Sequence, residues 1–479
     1  MATVQVSAAR PRRGVELGLM LMAVAVGISG YALAAVNRTG SFPPDLGLHI
    51  GLFVAFAVIA VVGVHRFAPY ADPVILPAAT ALTGIGLAGI YSLDLAYAAQ
   101  NARTVGNRQL LLTGISLVIA AIVLIVVRDH RTLRRYTYTF GIISIVLLLL
   151  PMVPYVGVEE YGARIWISIL GFQFQPGEFA KVTLAIFFAG YLVANRDKLS
   201  LAGPRFLGMQ LPRLRDLGPI IVVWVMAIGI LAFQRDLGTS LLFFGLFVAM
   251  LYVATNRVSW LVLGAVLFIP AAVVVVSAMP HAQARFDIWI HALDPDVINA
   301  SGGSYQLVQG LFGLANGGLL GAGWGRGYSE LIPVAQSDFI LASLGEQLGI
   351  VGMLAILMLY LILIQRGLRA ALGCRDGFGK LLAAGLSFSI ALQLFVVLGG
   401  ITRVIPLTGL TAPFLAAGGS SMIASWVIVA LLLRISDGGR RPAPTPGEWQ
   451  YQAANDLDQT LSGNARAAGH ITPAGRENA

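Results

Sequence analysis

Apolar runs of about 17 to 25 residues recur through most of this chain, and no other feature limits its possible folds as strongly. Leu261 to Ala278, for example, holds no charged residue. Each run is long enough to cross a hydrocarbon layer about 30 Å thick as a helix. In such a layer only an α-helix or a closed barrel satisfies its own backbone. A barrel would alternate at period two in segments of about ten residues, which these unbroken runs do not. The expected fold is all-α, a polytopic transmembrane helical bundle. Composition agrees, because 57% of residues are hydrophobic and 11% charged, against about 25% charged in a soluble domain.

About twelve spans are expected, beginning near Glu16, Leu48, Pro73, Leu110, Tyr138, Lys181, Gly218, Leu241, Leu261, Phe339, Leu381 and Ala412. The first follows Arg10, Arg12 and Arg13, but its run from Leu17 to Val36 exceeds the core of a usual signal peptide and reads as a span. Basic residues set the orientation. Arg128, Arg131, Arg134 and Arg135 follow the fourth span, Arg196, Lys198, Arg205, Arg213 and Arg215 the sixth, and Arg366, Arg369, Arg375 and Lys380 the tenth. These loops are cytoplasmic by that rule, as are both termini. Three connections then lie outside: Pro154 to Ala180, Pro280 to Asp338 and Ile401 to Thr411. The organisation reads as a cytoplasmic N-terminus (1–15), two spans (16–72), a transmembrane core (73–435) with a large extracellular loop (280–338), and a disordered cytoplasmic tail (436–479) rich in Pro, Gly, Arg, Asn and Gln.

Several chemistries are excluded. Cys374 is the single cysteine, so no intrachain disulfide or thiolate metal cluster is available. His281 and His291 lack metal-ligand spacing. The net charge of +9 is a topology signal rather than a nucleic-acid footprint. The glycine-rich Gly317 to Gly327 lacks the strand-to-helix context of a phosphate loop and reads as a flexible outer loop.

Charges at or near membrane depth are costly and usually functional. Glu178 and Lys181 are spaced as an ion pair in a helix begun by Pro176. Two readings are open: the pair pins the helix, or Lys181 and the nearby Arg164 face outward to receive an anion while Glu178 holds Lys181. Asp236 and Arg235 form a second acid and base at the outer end of the seventh span. The long outer connection carries Arg285, Asp287, His291, Asp294, Asp296, Arg326 and Glu330. Asp338 stands at the head of an apolar helix where membrane meets water. As a plain helix cap it is unremarkable; beneath a lipid substrate, desolvation would raise its pKa toward general-base work. Glu346, deeper in that helix, has no visible partner and faces the bundle interior.

These residues resemble the SEDS family (shape, elongation, division and sporulation), which includes RodA and FtsW. The match covers about Leu82 to Ile435 in ordered blocks. They are Gly84-Ile85-Gly86 with Ile90-Tyr91-Ser92, Gly162 to Ile167 leading to Phe174-Gln175-Pro176-Gly177-Glu178-Phe179-Ala180-Lys181, and Gln234 to Thr239. Tyr305-Gln306 to Gly327, Ser337-Asp338-Phe339-Ile340 with Gly345 to Gly349, and Pro406 to Gly409 with Gly418 to Ser421 follow. The resemblance implies a SEDS-type fold with two extra N-terminal spans, nearest the RodA-like branch with an extended N-terminus. It implies a peptidoglycan glycosyltransferase that polymerises lipid II on the outer face of the bacterial cytoplasmic membrane beside a class B penicillin-binding protein. It assigns catalysis to Asp338 and matches Arg164, Gln175, Glu178, Lys181, Asp236, Glu330 and Glu346 to polar positions of the site. Departures are Arg235 for a proline, Ser337 for a threonine, Gln336 for a histidine, Val334 for a glutamate and Gln347 for a second glutamate.

Glycosyl transfer between lipid-linked sugars needs a base for the acceptor hydroxyl, cations for the departing diphosphate and an apolar groove for the prenyl tails. Asp338 is the expected base. Lys181 and Arg164 are the expected cations, with Arg285 or a divalent cation such as Mg or Mn as further sources of charge; no other cofactor is called for. The competing readings are a lipid II flippase, an FtsW-like division polymerase and a scaffold that only docks a transpeptidase.

Overall fold

The computed structural model describes residues 13–100, 104–160, 163–169, 172–200, 205–206, 209–210 and 218–442. Residues 1–12, the basic stretch holding Arg213 and Arg215, and the tail from 443 lie outside the described residues. Helices occupy all twelve expected places. They are α1 (Arg13–Thr39), α2 (Leu46–Phe67), α3 (Ile75–Ala99), α4 (Gly106–Val126), a short α5 (Thr132–Arg135), α6 (Thr137–Leu149), α7 (Pro176–Ser200), α8 (Gly218–Gly229), α9 (Leu237–Thr255) and α10 (Ser259–Ala278). Then come α11 (Pro280–Ile290), α12 (Pro295–Asn299), α13 (Tyr305–Gly317), α14 (Ile340–Gly373), α15 (Gly377–Ile401) and α16 (Gly419–Arg440). Ten are long and apolar enough to span a membrane. The fifth and seventh expected spans are short: α6 ends in a 3-10 turn at Met152 and α8 in a π turn at Gln234.

Boundaries shift for local reasons. α7 starts at Pro176, not Lys181, since a ring-fixed φ suits the first helical turn. α16 starts at Gly419, not Ala412, because residues 412–418 form a loop pressed on α3. A Cβ on Gly86 would stand 2.6 Å from the backbone of Leu415, so only glycine admits that approach. α16 runs to Arg440, so the tail's first residues are helical.

Hydropathy and burial are inversely related. α10 has mean hydropathy 2.7 and little burial, whereas α3 has mean hydropathy 1.4 and its core stretch is wholly buried. A helix facing lipid must be apolar all round, while one sheathed by protein need not be. α1 packs along α3, α4 along α16, and α14 against both α3 and α15. On the connection after α6 lies an antiparallel three-stranded sheet, β1 (Gly157–Glu160), β2 (Ala163–Ile169) and β3 (Phe172–Phe174), ordered β1-β2-β3 with Ile167 opposite Gly157 and Phe174.

The connection 280–338 carries three helices, α11, α12 and α13. Nor is the glycine-rich segment a flexible loop. α14 breaks at Gly349, whose φ of 67° is left-handed. The Ala322 and Gly323 N–H groups donate to the Glu346 and Gln347 carbonyls, and the Ile350 and Val351 N–H groups donate to the Gly318 and Leu319 carbonyls, at 2.9 to 3.1 Å. Backbone freed by the break is satisfied by this segment, as a buried helix interruption requires.

Candidate active site

Asp338 ends the loop that runs from Tyr328 into α14. Its side chain is partly buried. Burial pushes its carboxyl up to about 6, against the opposing pull of its own backbone N–H, the Arg285 charge and the Ser337 hydroxyl. A carboxylate poised near neutrality accepts a proton far more readily than one at its ordinary value.

Arg285, on α11, is held from the other side. Its Nη1 donates to the carbonyls of Leu407 and Thr408 at 3.3 and 3.2 Å. Its charge acts on Asp236 as well as Asp338. Asp236 caps α9, accepting the Thr239 N–H at 3.0 Å and the Thr239 hydroxyl. It is fully buried, and burial raises its carboxyl above the usual range. The charge of one arginine, hydrogen-bonded to the α15–α16 connection, thus acts on two carboxyls from distant parts of the chain.

Lys181 does not face outward. It is 1% exposed, and its Nζ donates to Glu178 Oε2 at 2.6 Å and Gln393 Oε1 at 2.7 Å. Gln393 donates in turn to the Thr411 carbonyl at 2.9 Å. The ammonium is satisfied within a closed α7–α15 network, as a buried charge must be. Gln175, just before α7, is buried, its N–H donating to Ser420 Oγ at 2.9 Å, and shares a small cleft with Gln234 and Asp236. Arg164 stands apart on β2, exposed and paired with Glu159 at 2.9 Å, while Arg235 approaches the same carboxylate at 3.5 Å. Hydrogen bonding from Arg164 holds the Glu159 carboxyl below its usual range.

Glu346 has partners that sequence reading did not find. Its carboxylate accepts Ser329 Oγ at 2.6 Å, and the Tyr328 N–H and Asn316 Nδ2 at 2.9 Å. Gln347 needs its amide: Oε1 accepts Ser92 Oγ and the Gly325 N–H, and Nε2 donates to Ser343 Oγ, which a carboxylate would not do. Gln336 Oε1 accepts the Tyr97 hydroxyl at 3.1 Å. Glu330 accepts from Arg38 of α1 at 2.8 Å. Val334 has φ of +54°, a strained conformation for a β-branched residue. Of these, Arg38, Tyr97 and Asn316 were missed, since only their place in space marks them.

Among the described residues, the one group of three or more His, Cys, Asp or Glu donors close enough to share an ion is His130, Cys374 and Asp376. It lies just past the other end of α14. His130 Nε2 meets Asp376 Oδ2 at 2.7 Å, the thiol donates to that oxygen at 3.2 Å, and Arg131 approaches it at 3.5 Å. These are hydrogen-bond distances around a carboxylate already facing a guanidinium. Mg and Mn favour oxygen donors, often one or two carboxylates completed by water and substrate phosphate, and this His–Cys–Asp group does not fit that set.

The model of the FtsW/RodA/SpoVE family, described as cell cycle proteins, matches residues 73–440. The chain is 44% identical over 438 residues to the peptidoglycan glycosyltransferase RodA of Mycobacterium tuberculosis (strain ATCC 25618 / H37Rv), covering 91% of this chain and 92% of that one. It is 43% identical to the RodA of Mycobacterium leprae, over 90% and 92%. A chain from the solved structure of a peptidoglycan synthase complex, concerned with the coordination of polymerization and crosslinking, aligns with TM-score 0.51 and 24% identity, covering 81% of this chain and 96% of that one. At that identity the likeness concerns the fold.

Proposed function

Since this chain belongs to the FtsW/RodA/SpoVE family of cell cycle proteins, we propose that it is a peptidoglycan glycosyltransferase polymerising lipid II into glycan strands during cell elongation. The observation that carries this reading is Asp338, a carboxyl lifted to about 6 at the mouth of α14, with the Arg285 charge acting on it. Asp338 takes the proton from the acceptor GlcNAc 4-hydroxyl. The freed oxygen bonds to the donor MurNAc anomeric carbon as that carbon's bond to the diphosphate breaks, and direct displacement inverts the centre. Polyprenyl diphosphate departs, its charge balanced by Arg285. Lys181 and Glu178 shape the site by fixing α7 against α15.

The enzyme sits in the bacterial cytoplasmic membrane with both termini cytoplasmic, a reading supported by the basic loops. Its partner is a class B penicillin-binding protein, which crosslinks the strand as it emerges. The assay is direct: purified enzyme and lipid II on the accessible face. Wild type makes polymer and Asp338→Asn, inserted normally, makes roughly 10²- to 10⁴-fold less. Lipid crossing without polymer would instead identify a flippase.

A further inference from the structure

We propose that Arg38, on α1 and outside the family-matched segment, is a positioning residue that holds the loop presenting Asp338. The proposal rests on the glycosyl-transfer reading above.

The loop Tyr328–Ser337 contains little regular structure, only a 3-10 turn at Ser329–Leu331. It carries the strained Val334 four residues before Asp338. A strained residue persists only where its surroundings over-determine it, and several restraints come from within residues 73–440. Glu346 takes the Tyr328 N–H and Ser329 hydroxyl, Gln306 Nε2 donates to the Pro333 carbonyl at 2.8 Å, Tyr97 donates to Gln336, and the Ala417 N–H donates to the Gln336 carbonyl at 2.7 Å. A further restraint comes from outside that segment. Arg38 Nη2 donates to Glu330 Oε2 at 2.8 Å and to the Gly327 carbonyl at 3.3 Å.

This is a built contact. The side chains of Arg38 and Glu330 are 21% and 10% exposed, so the charges are partly desolvated and worth more than a surface pair. The neighbouring residue repeats the connection: Asn37 Nδ2 donates to the Trp324 carbonyl at 2.7 Å, and Arg326 Nη2 donates to Asn37 Oδ1 at 3.2 Å. A Cβ on Gly30, two turns earlier, would meet the Trp324 ring at 3.2 Å, so the helix itself lies against the loop. α1 is thereby a structural part of the catalytic loop, not an appendage.

Misplacing a reacting group by about 1 Å costs on the order of 10²-fold in rate. With the full chain in lipid vesicles, Arg38→Ala is expected to lower kcat for lipid II polymerisation roughly 10- to 100-fold and leave KM within about 2-fold, since the base moves and the lipid groove does not. Arg38→Lys, keeping the charge without the fork, should recover part of the rate. Arg38→Ala with Glu330→Gln should be no slower than the slower single variant, because both remove one interaction. Trypsin cleavage after the exposed Arg326 should quicken in Arg38→Ala, a readout independent of turnover. Wild-type kcat and wild-type cleavage in Arg38→Ala, while Asp338→Asn abolishes polymer, would overturn the proposal. So would rate losses that multiply in the double variant. If Arg38→Ala does not fold, Arg38→Lys and Asn37→Ala are read in the same two assays, and wild-type behaviour in both variants rejects the role. A wild-type chain that makes no polymer defeats the glycosyl-transfer reading instead, and the cleavage rates still report on the loop.

Discussion

Lys181 and Glu178 meet at 2.6 Å on one face of α7, both sealed from solvent. Breaking such a pair leaves a buried charge uncompensated, which typically costs about 3 to 5 kcal/mol, whereas removing both charges with matched volume is often near neutral. Lys181→Met should therefore lower the unfolding midpoint in detergent sharply, and Glu178→Gln with Lys181→Met should restore most of it. A Lys181→Met protein as stable as wild type but unable to polymerise would point to direct contact with substrate.

The raised carboxyl of Asp338 sets two pH trends. In the proposed mechanism it is the base and must be ionised, so the rate should climb with pH through about 6 and level off above it. For stability the sign is opposite. The folded state holds this proton more tightly than the unfolded chain, so stability falls as pH rises from the ordinary carboxyl value to about 6 and stays reduced above it. Asp338→Asn should gain up to about 3 kcal/mol at pH 7.5 and almost nothing near pH 4, measured by thermal unfolding.

Arg235 occupies a position where the resembling family carries proline, yet its φ is +58°. A pyrrolidine ring fixes φ near −65° and cannot follow. Arg235→Pro is expected to destabilise the chain by about 1 to 3 kcal/mol, and Arg235→Gly to be tolerated. Equal melting of the proline variant and wild type would show that this turn relaxes freely.

Gly349 breaks α14 at φ +67°, and a Cβ there would stand 2.3 Å from the Gly321 nitrogen. Because the obstacle is backbone, no side chain can swing aside. Gly349→Ala should free the 318–323 segment, seen as faster hydrogen exchange at Ala322 and Gly323, and should cost polymerisation through Glu346, which joins the same segment to the active-site loop.

What was legible in the sequence was what periodicity and burial encode locally. The apolar runs located every long helix, and the ordered polar blocks located Asp338, Asp236 and the Glu178–Lys181 pair. Long-range closure was not legible. Nothing near Arg38 announces Glu330, and nothing near Glu346 announces Ser329, because those contacts exist only after the glycine-rich segment folds against the α14 break. Lys181 offered two readings because spacing reveals a pair but not whether water reaches it. The connection 280–338 looked like a loop because α11 and α13 are short and amphipathic, without the length of a span.

α3 is among the least apolar of the long helices, and its core stretch is wholly enclosed by its neighbours. A segment of that kind has little reason to stay in lipid unaccompanied. α1 precedes it in the chain and packs along it, so a chain begun at residue 73 would lack that flank for the most buried of its candidate spans.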